Sequence, residues 1–274
     1  MSGRRPVVLA LLGALFILGF YTLTDPALIS AESVAHDHVL QSADYAGYAV
    51  CHRITERSFT VAGRQFPLCA RCTGMYLGVF VIFAVLGLAG RWRRAALPPL
   101  SVLIVLGALV ALMGVDGLNS YSHFFPDFPH LYQPQNWLRL LTGLGTGLGM
   151  GLIMFPALAQ TLWRAPAWEP PVASLRELAG ILALTLLVFV LVLSNQNAIL
   201  YVLAIASAFG LIAIMTALNS TTVLLLTRRE GRARGWLHAT APLLIGLALA
   251  AAEIAVVAIG RFHLTGTLTG FPGL

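Results

Sequence analysis

The sequence predicts an all-α integral membrane protein of about seven transmembrane helices, with a cytoplasmic amino terminus and an extracytoplasmic carboxyl terminus. Three observations carry that expectation. Hydrophobic residues make up 58% of the 274 and charged residues only 10%, with a mean hydropathy of +0.83, far too apolar for a soluble domain. Apolar runs of the roughly 20 residues that cross a hydrocarbon core of about 30 Å as helix recur along the chain. The basic residues, all Arg with no Lys, punctuate those runs unequally at alternate boundaries, as loop anchors do. That punctuation explains the formal charge of +6 and the pI near 9.7 better than nucleic-acid binding does, and the expected partner is the lipid bilayer.

Taken in order, the spans fall at 6 to 24, 74 to 90, 97 to 115, 137 to 163, 177 to 194, 198 to 227 and 237 to 260. The first follows Arg4 and Arg5, as a signal peptide would, but its apolar core is long for one and no clear small-x-small cleavage site follows, so it is read as a helix. Pro98-Pro99, Pro166 and Pro170-Pro171 mark helix starts or loop ends, where a missing amide hydrogen is tolerated. Gly143, Gly147 and Gly151, with Gly145 and Gly149, form two small-residue strips that let neighbouring helices approach closely. No internal repeat of the kind used by inverted-repeat transporters is evident, so residues 1–274 form one polytopic domain.

Orientation follows from the Arg count. Arg4, Arg5, Arg91, Arg93, Arg94, Arg164, Arg176, Arg228, Arg229, Arg232 and Arg234 share one side, eleven against the six of Arg53, Arg57, Arg64, Arg71, Arg139 and Arg261. The larger set is expected in the cytoplasm of a prokaryote, which puts residues 25–73 and 116–136 outside. The first of these segments is expected to fold as a short interfacial helix followed by a compact loop.

All three Cys lie on that outer side. Cys69 and Cys72 have the Cys-x-x-Cys spacing that lets two sulfurs converge on one ion or close a small disulfide. Cys72 lies near a helix amino terminus, where the dipole favours thiolate. Cys51 and His52 could complete a Cys3His set for zinc, although adjacent residues rarely share one ion, and His36, His38 or a carboxylate are equally admissible as fourth ligand. A metal site explains the odd thiol count and the neighbouring His. A redox pair of Cys69 and Cys72, using a quinone between helices, and a structural disulfide with a spare Cys both stay open.

The residues Cys51-His52, Arg57-Ser58-Phe59, Gly63, Pro67, Cys69, Arg71-Cys72-Thr73-Gly74 and Tyr76-Leu77-Gly78 resemble the signature of an uncharacterised prokaryotic membrane-protein family, domain of unknown function 2085. The likeness continues at Asp116-Gly117, Asn136, Arg139, Thr142 and Gly143, and spans about residues 45 to 151. It departs at Arg53, where the family tends to have Gln, and at Pro134 and Gln135, where small hydroxyl residues are expected. The resemblance implies a membrane protein with its site in this stretch, and brings no assigned reaction.

Asp116 and Asn119 end the third span, while Asn136 and Arg139 open the fourth, on the same side as the cysteines. Asp116 is either half of an ion pair or a metal ligand or general base, with Asn119 and Asn136 orienting a substrate. Arg57, Arg71 and Arg139, with Arg53 and Arg64 nearby, suit the oxygens of an anionic lipid or polyprenyl phosphate, against the alternative of pairing with Asp37, Asp44, Glu56 and Asp127. His123 and His130 sit in an aromatic, Pro-rich loop that reads as an interfacial belt. Glu253, well inside a span, is expected to bond Arg261 or Asn219, or to line a polar path. The leading expectation is a zinc-containing membrane enzyme or binding protein; a thiol oxidoreductase, a transporter and a structural subunit are its rivals.

Overall fold

A computed structural model describes residues 30–123, 125 and 129–267, so the span expected at 6 to 24 lies outside the described residues. Two short helices come first, α1 (Ala31–Ala35) and α2 (His38–Val50). A turn at Thr55–Arg57 leads into an antiparallel hairpin of β1 (Ser58–Val61) and β2 (Arg64–Cys69). Six long helices follow: α3 (Ala70–Leu88), α4 (Leu100–Ser122), α5 (Asn136–Leu162), α6 (Leu175–Leu193), α7 (Asn197–Leu226) and α8 (Trp236–Thr265). All six are long and apolar enough to cross a membrane.

The six helices coincide with the expected runs to within a few residues, except that α3 starts at Ala70 rather than 74, α4 continues to Ser122 rather than 115 and α8 to Thr265 rather than 260. Cys72 therefore lies inside the first turn of α3. The all-α expectation needs one correction, because the compact loop is a β-hairpin. Val61, Phe66 and Leu68 are buried on it while Thr60 faces solvent. Its turn residues Ala62 and Gly63 both take left-handed backbone, φ 48° and 86°, the combination a two-residue hairpin turn requires. Ala-Gly is a weaker signal for that turn than Asn-Gly, and here Asn197 on α7 helps by accepting the Ala62 amide at 3.0 Å.

Burial separates centre from periphery. In the apolar window of α5, 72% of residues are buried, against 17% for α4 and 11% for α8, so α5 is the central helix and the other two face outward. The glycine strips explain why. A Cβ at Gly147 would collide with the Met75 carbonyl of α3, and one at Gly145 would press on Leu109 of α4. The first strip thus brings the α3 and α5 backbones together, and the second seats α4. This contact holds the start of α3, and with it Cys69 and Cys72, against the start of α5, where Arg139 stands.

At the other end of the bundle Trp92, Trp163 and Trp236 cluster with Phe155. Trp92 stacks on Phe155 at 5.4 Å and Trp163 meets Trp236 edge-on at 5.0 Å. These rings, with Phe83 and Thr216, line an apolar cavity of about 280 Å³.

Candidate metal centre

Three pieces of chain converge to bring the thiols together. Helix α2 packs its backbone on β2 at Gly47, where any Cβ would strike the Pro67 carbonyl. That places Cys51, the C-cap of α2, beside Cys69 at the end of β2. The helix then begins at once, and the Thr73 hydroxyl donates to the Leu68 carbonyl at 3.2 Å, closing the strand-to-helix corner. One turn of helix carries Cys72 back to the other two. The three sulfurs lie within 4.8 Å of one another, Cys51 and Cys69 buried and Cys72 half-buried. All three are free thiols.

The spacing suits one ion. A tetrahedral centre with zinc–sulfur bonds of about 2.3 Å separates its sulfurs by about 3.8 Å. The Cys69 backbone amide donates to the Cys51 sulfur at 3.2 Å, the kind of amide contact that stabilises a ligating thiolate. Leu68 and Tyr76 wall the trio on the apolar side.

His52 stands against two of the three thiols. Its Nδ1 is 3.7 Å from the Cys51 sulfur. Hydrogen bonding to Cys51 and then to Cys69 outweighs the opposing effect of burial and pushes its pKa up to about 9. Hydrogen bonds from Cys51 and Cys72, with the His52 charge adding to them, hold the Cys69 thiol far below the usual thiol range. The two shifts run in the directions that favour a thiolate beside a protonated imidazole. His36 and His38, the other sequence candidates for a fourth ligand, are exposed and stand outside the trio.

The segment joining α4 to α5 meets this site through arginine. Arg71, between the two cysteines of the Cys-x-x-Cys pair, forms an ion pair with Asp116, which is 1% exposed. The same guanidinium donates to the Ser120 hydroxyl at 3.1 Å. The second Asp116 oxygen accepts the Tyr132 hydroxyl at 3.0 Å, and burial together with that bond pushes the Tyr132 pKa up to about 12. Asn119 holds the same loop, donating to the Tyr132 carbonyl and accepting the Leu131 amide, each at 2.8 Å. Asn136 donates to the Glu56 carbonyl at 3.0 Å and accepts from Arg139 at 2.8 Å. Arg139 is 7% exposed and feels the charges of Arg57, Arg71, Asp116 and Cys69. The expected site residues of both loops are therefore neighbours.

Elsewhere the sequence candidates are placed differently. Arg53 and Arg64 both bind Asp44, at 2.9 and 2.6 Å, which makes them loop anchors, while Asp127 lies outside the described residues. His123 and His130 stack on each other at 3.8 Å and bond the Tyr132 carbonyl and the Ser122 hydroxyl. Glu253 takes the Asn219 amide at 2.9 Å on an exposed face of α8. One contributor, Tyr132, one aromatic among several, had no sequence signal; Arg261, expected beside Glu253, donates to the carbonyls of Tyr48, Cys51 and His52.

The comparisons fall on the same stretch. The family model described as "Predicted membrane protein (DUF2085)" matches residues 51–153, from Cys51 through the hairpin, α3 and α4 into α5. An uncharacterised protein of Methanothermobacter thermautotrophicus is 35% identical over 104 residues, 38% of this chain and 83% of its own length. An uncharacterised protein of Methanocaldococcus jannaschii is 29% identical over 121 residues, 44% of this chain and 71% of its own. No solved structure matches. With the cysteine trio and Arg57, Arg71 and Arg139 inside the matched stretch, the chain belongs to the DUF2085 family of membrane proteins.

Proposed function

We propose that this protein of a prokaryotic cytoplasmic membrane holds a zinc ion on Cys51, Cys69 and Cys72 at the extracytoplasmic end of its bundle, beside arginines that receive an anionic lipid-type headgroup such as a polyprenyl phosphate. The observation that carries this reading is the convergence of three buried or half-buried free sulfurs from three separate elements within 4.8 Å. Three thiolates are the donor set of a zinc site, and His52 flanks the fourth position. When bound, zinc would fix the corner between hairpin and helix and polarise an oxygen brought to it.

Arg71 and Arg139 stand in this site, Arg71 on Asp116 and Arg139 on Asn136, and forked guanidinium donors of this kind match phosphate oxygens. Both Asp116 oxygens are engaged, by Arg71 and Tyr132, which suits holding an arginine in place better than taking a proton. Asn119 is engaged by the backbone of its own loop and Asn136 by the Glu56 carbonyl and the Arg139 guanidinium, so both act by positioning. Against the thiol-redox alternative, the aromatic cavity that would suit a quinone begins at Phe83, eleven residues beyond Cys72 along α3 or about 16 Å by helical rise.

Two measurements test the proposal separately. Metal analysis of detergent-purified protein should find one zinc per chain, lost in Cys69→Ser. Native mass spectrometry with a prenyl phosphate should show an adduct that Arg139→Gln and Arg57→Gln weaken while the metal stays; equal adducts with the uncharged prenol would contradict an anion site.

A further inference from the structure

Helix α8 ends on the cysteine site. Arg261, in its last turns, donates from Nη1 to the carbonyls of Tyr48, at 2.6 Å, and Cys51, and from Nη2 to the carbonyl of His52 at 3.2 Å. Its guanidinium carbon lies over the Tyr48 ring, 4.1 Å from the centroid. Tyr48 closes the latch by donating its hydroxyl to the Thr267 carbonyl at 2.6 Å and meeting the Thr265 hydroxyl at 3.0 Å. Three carbonyls at the frayed end of α2 thus depend on one side chain that is 209 residues away from His52 in sequence. The last carbonyls of a helix have no partner within it, and here they flank Cys51 and His52 themselves. Immediately beyond, Arg53 takes left-handed backbone at φ 50°, so the chain reverses right after the two residues Arg261 grips.

The grip comes from outside the stretch that defines the family. The family model ends at residue 153, and the Methanothermobacter relative, of which the match covers 83% against 38% of this chain, is less than half as long. Of the three thiols, Cys69 and Cys72 are fixed by the β2 to α3 corner and by the glycine contact with α5. Cys51 sits at the end of α2, which packs on β2 at Gly47 and is gripped at its last carbonyls by α8.

We propose that Arg261 is a positioning residue for the metal site, holding Cys51 and His52 in register with Cys69 and Cys72 and so coupling the carboxyl-terminal helix to the centre. This rests on the zinc reading above. Loss of an outer-sphere hydrogen bond to a metal ligand commonly weakens affinity 10- to 100-fold, and Arg261→Gln should weaken zinc binding by about that range. Arg261→Lys, able to reach two carbonyls but not to fork across three or stack as well, should lose less. Substituting cobalt for zinc reads the ligands directly: thiolate charge-transfer absorption should fall in Arg261→Gln toward that of Cys51→Ser.

A double-mutant cycle separates positioning from general weakening. If Arg261 acts through Cys51, Cys51→Ser with Arg261→Gln binds metal no more weakly than Cys51→Ser alone; additive losses would overturn the proposal. A metal-independent readout keeps its failure distinct from failure of the zinc reading. In a Cys72→Ser background, mild oxidation by copper phenanthroline should join Cys51 to Cys69 readily in the wild type and several-fold more slowly in Arg261→Gln. Equal rates would overturn the positioning role even if zinc binds. A slowed rate in a chain that binds no metal would keep the role and overturn the zinc.

Discussion

The two ends of the bundle use the same side chain in opposite ways. At the tryptophan end, Arg91 pairs bidentately with Glu177 at 2.8 and 3.0 Å, and Arg94 with Glu169 at 3.2 Å. Those pairs are open to water, their carboxylates 35% and 66% exposed. At the cysteine end the carboxylates are sunk, Asp44 under Arg53 and Arg64 at 17% and Asp116 under Arg71 at 1%. An Arg on an exposed carboxylate needs only the interface. A buried pair is costly unless its partners are specific, so the sunken carboxylates mark where the molecule spends stability on a site.

The comparison can be broken at its strongest point first. Asp116→Ala removes a fully buried carboxylate from Arg71, whose own side chain is 23% exposed, and should cost about 1.5–3 kcal/mol in detergent unfolding; a loss below about 0.5 kcal/mol would mean water already reaches that pair. Next, Gly47→Val forces α2 off the Pro67 carbonyl and should cost about 1–3 kcal/mol. It should also reduce oxidative joining of Cys51 to Cys69, whereas a change of stability without change in joining would dissociate the contact from the site. At the other end Glu177→Gln should cost less than about 1 kcal/mol and be insensitive to added zinc, since the pair is partly exposed.

The smallest effect expected is a cancellation in the metal-free protein. His52, raised to about 9 from 6.5, contributes stability that is complete below 6.5 and lost as the pH rises through about 9. Cys69, lowered from 9.0, contributes in the opposite sense, its share growing with pH up to 9.0. Between pH 6.5 and 9 the two slopes oppose, so unfolding of the metal-free wild type should be nearly flat with pH. His52→Gln should leave a stability that rises with pH over that window, read from thermal unfolding in buffers of matched ionic strength.

How much of this was legible in the sequence depends on the range of the forces involved. The six helices followed from local hydropathy, and Cys69 and Cys72 from spacing along three residues of chain. The glycine strips were readable because small residues at four-residue spacing on an apolar helix have few other uses, and Gly147 against Met75 bears that out. The hairpin was missed because Ala62-Gly63 is a poor turn signal supported from a distance by Asn197. The roles of Tyr132 and Arg261 were missed for the same reason: each is set by a partner 16 or more residues away, and neither residue type announces it. His52 was a doubtful ligand because adjacent residues rarely share one ion; its ring faces Cys51 and Cys69, while the group of donors within 4.8 Å of one another is the three sulfurs alone.

X-ray absorption at the zinc edge of the purified protein tests the central claim most directly. The account predicts three sulfur neighbours at about 2.3 Å and one nitrogen or oxygen at about 2.0–2.2 Å, falling to two sulfurs in Cys51→Ser. A spectrum with only nitrogen and oxygen neighbours, or one unchanged by Cys51→Ser, would contradict it.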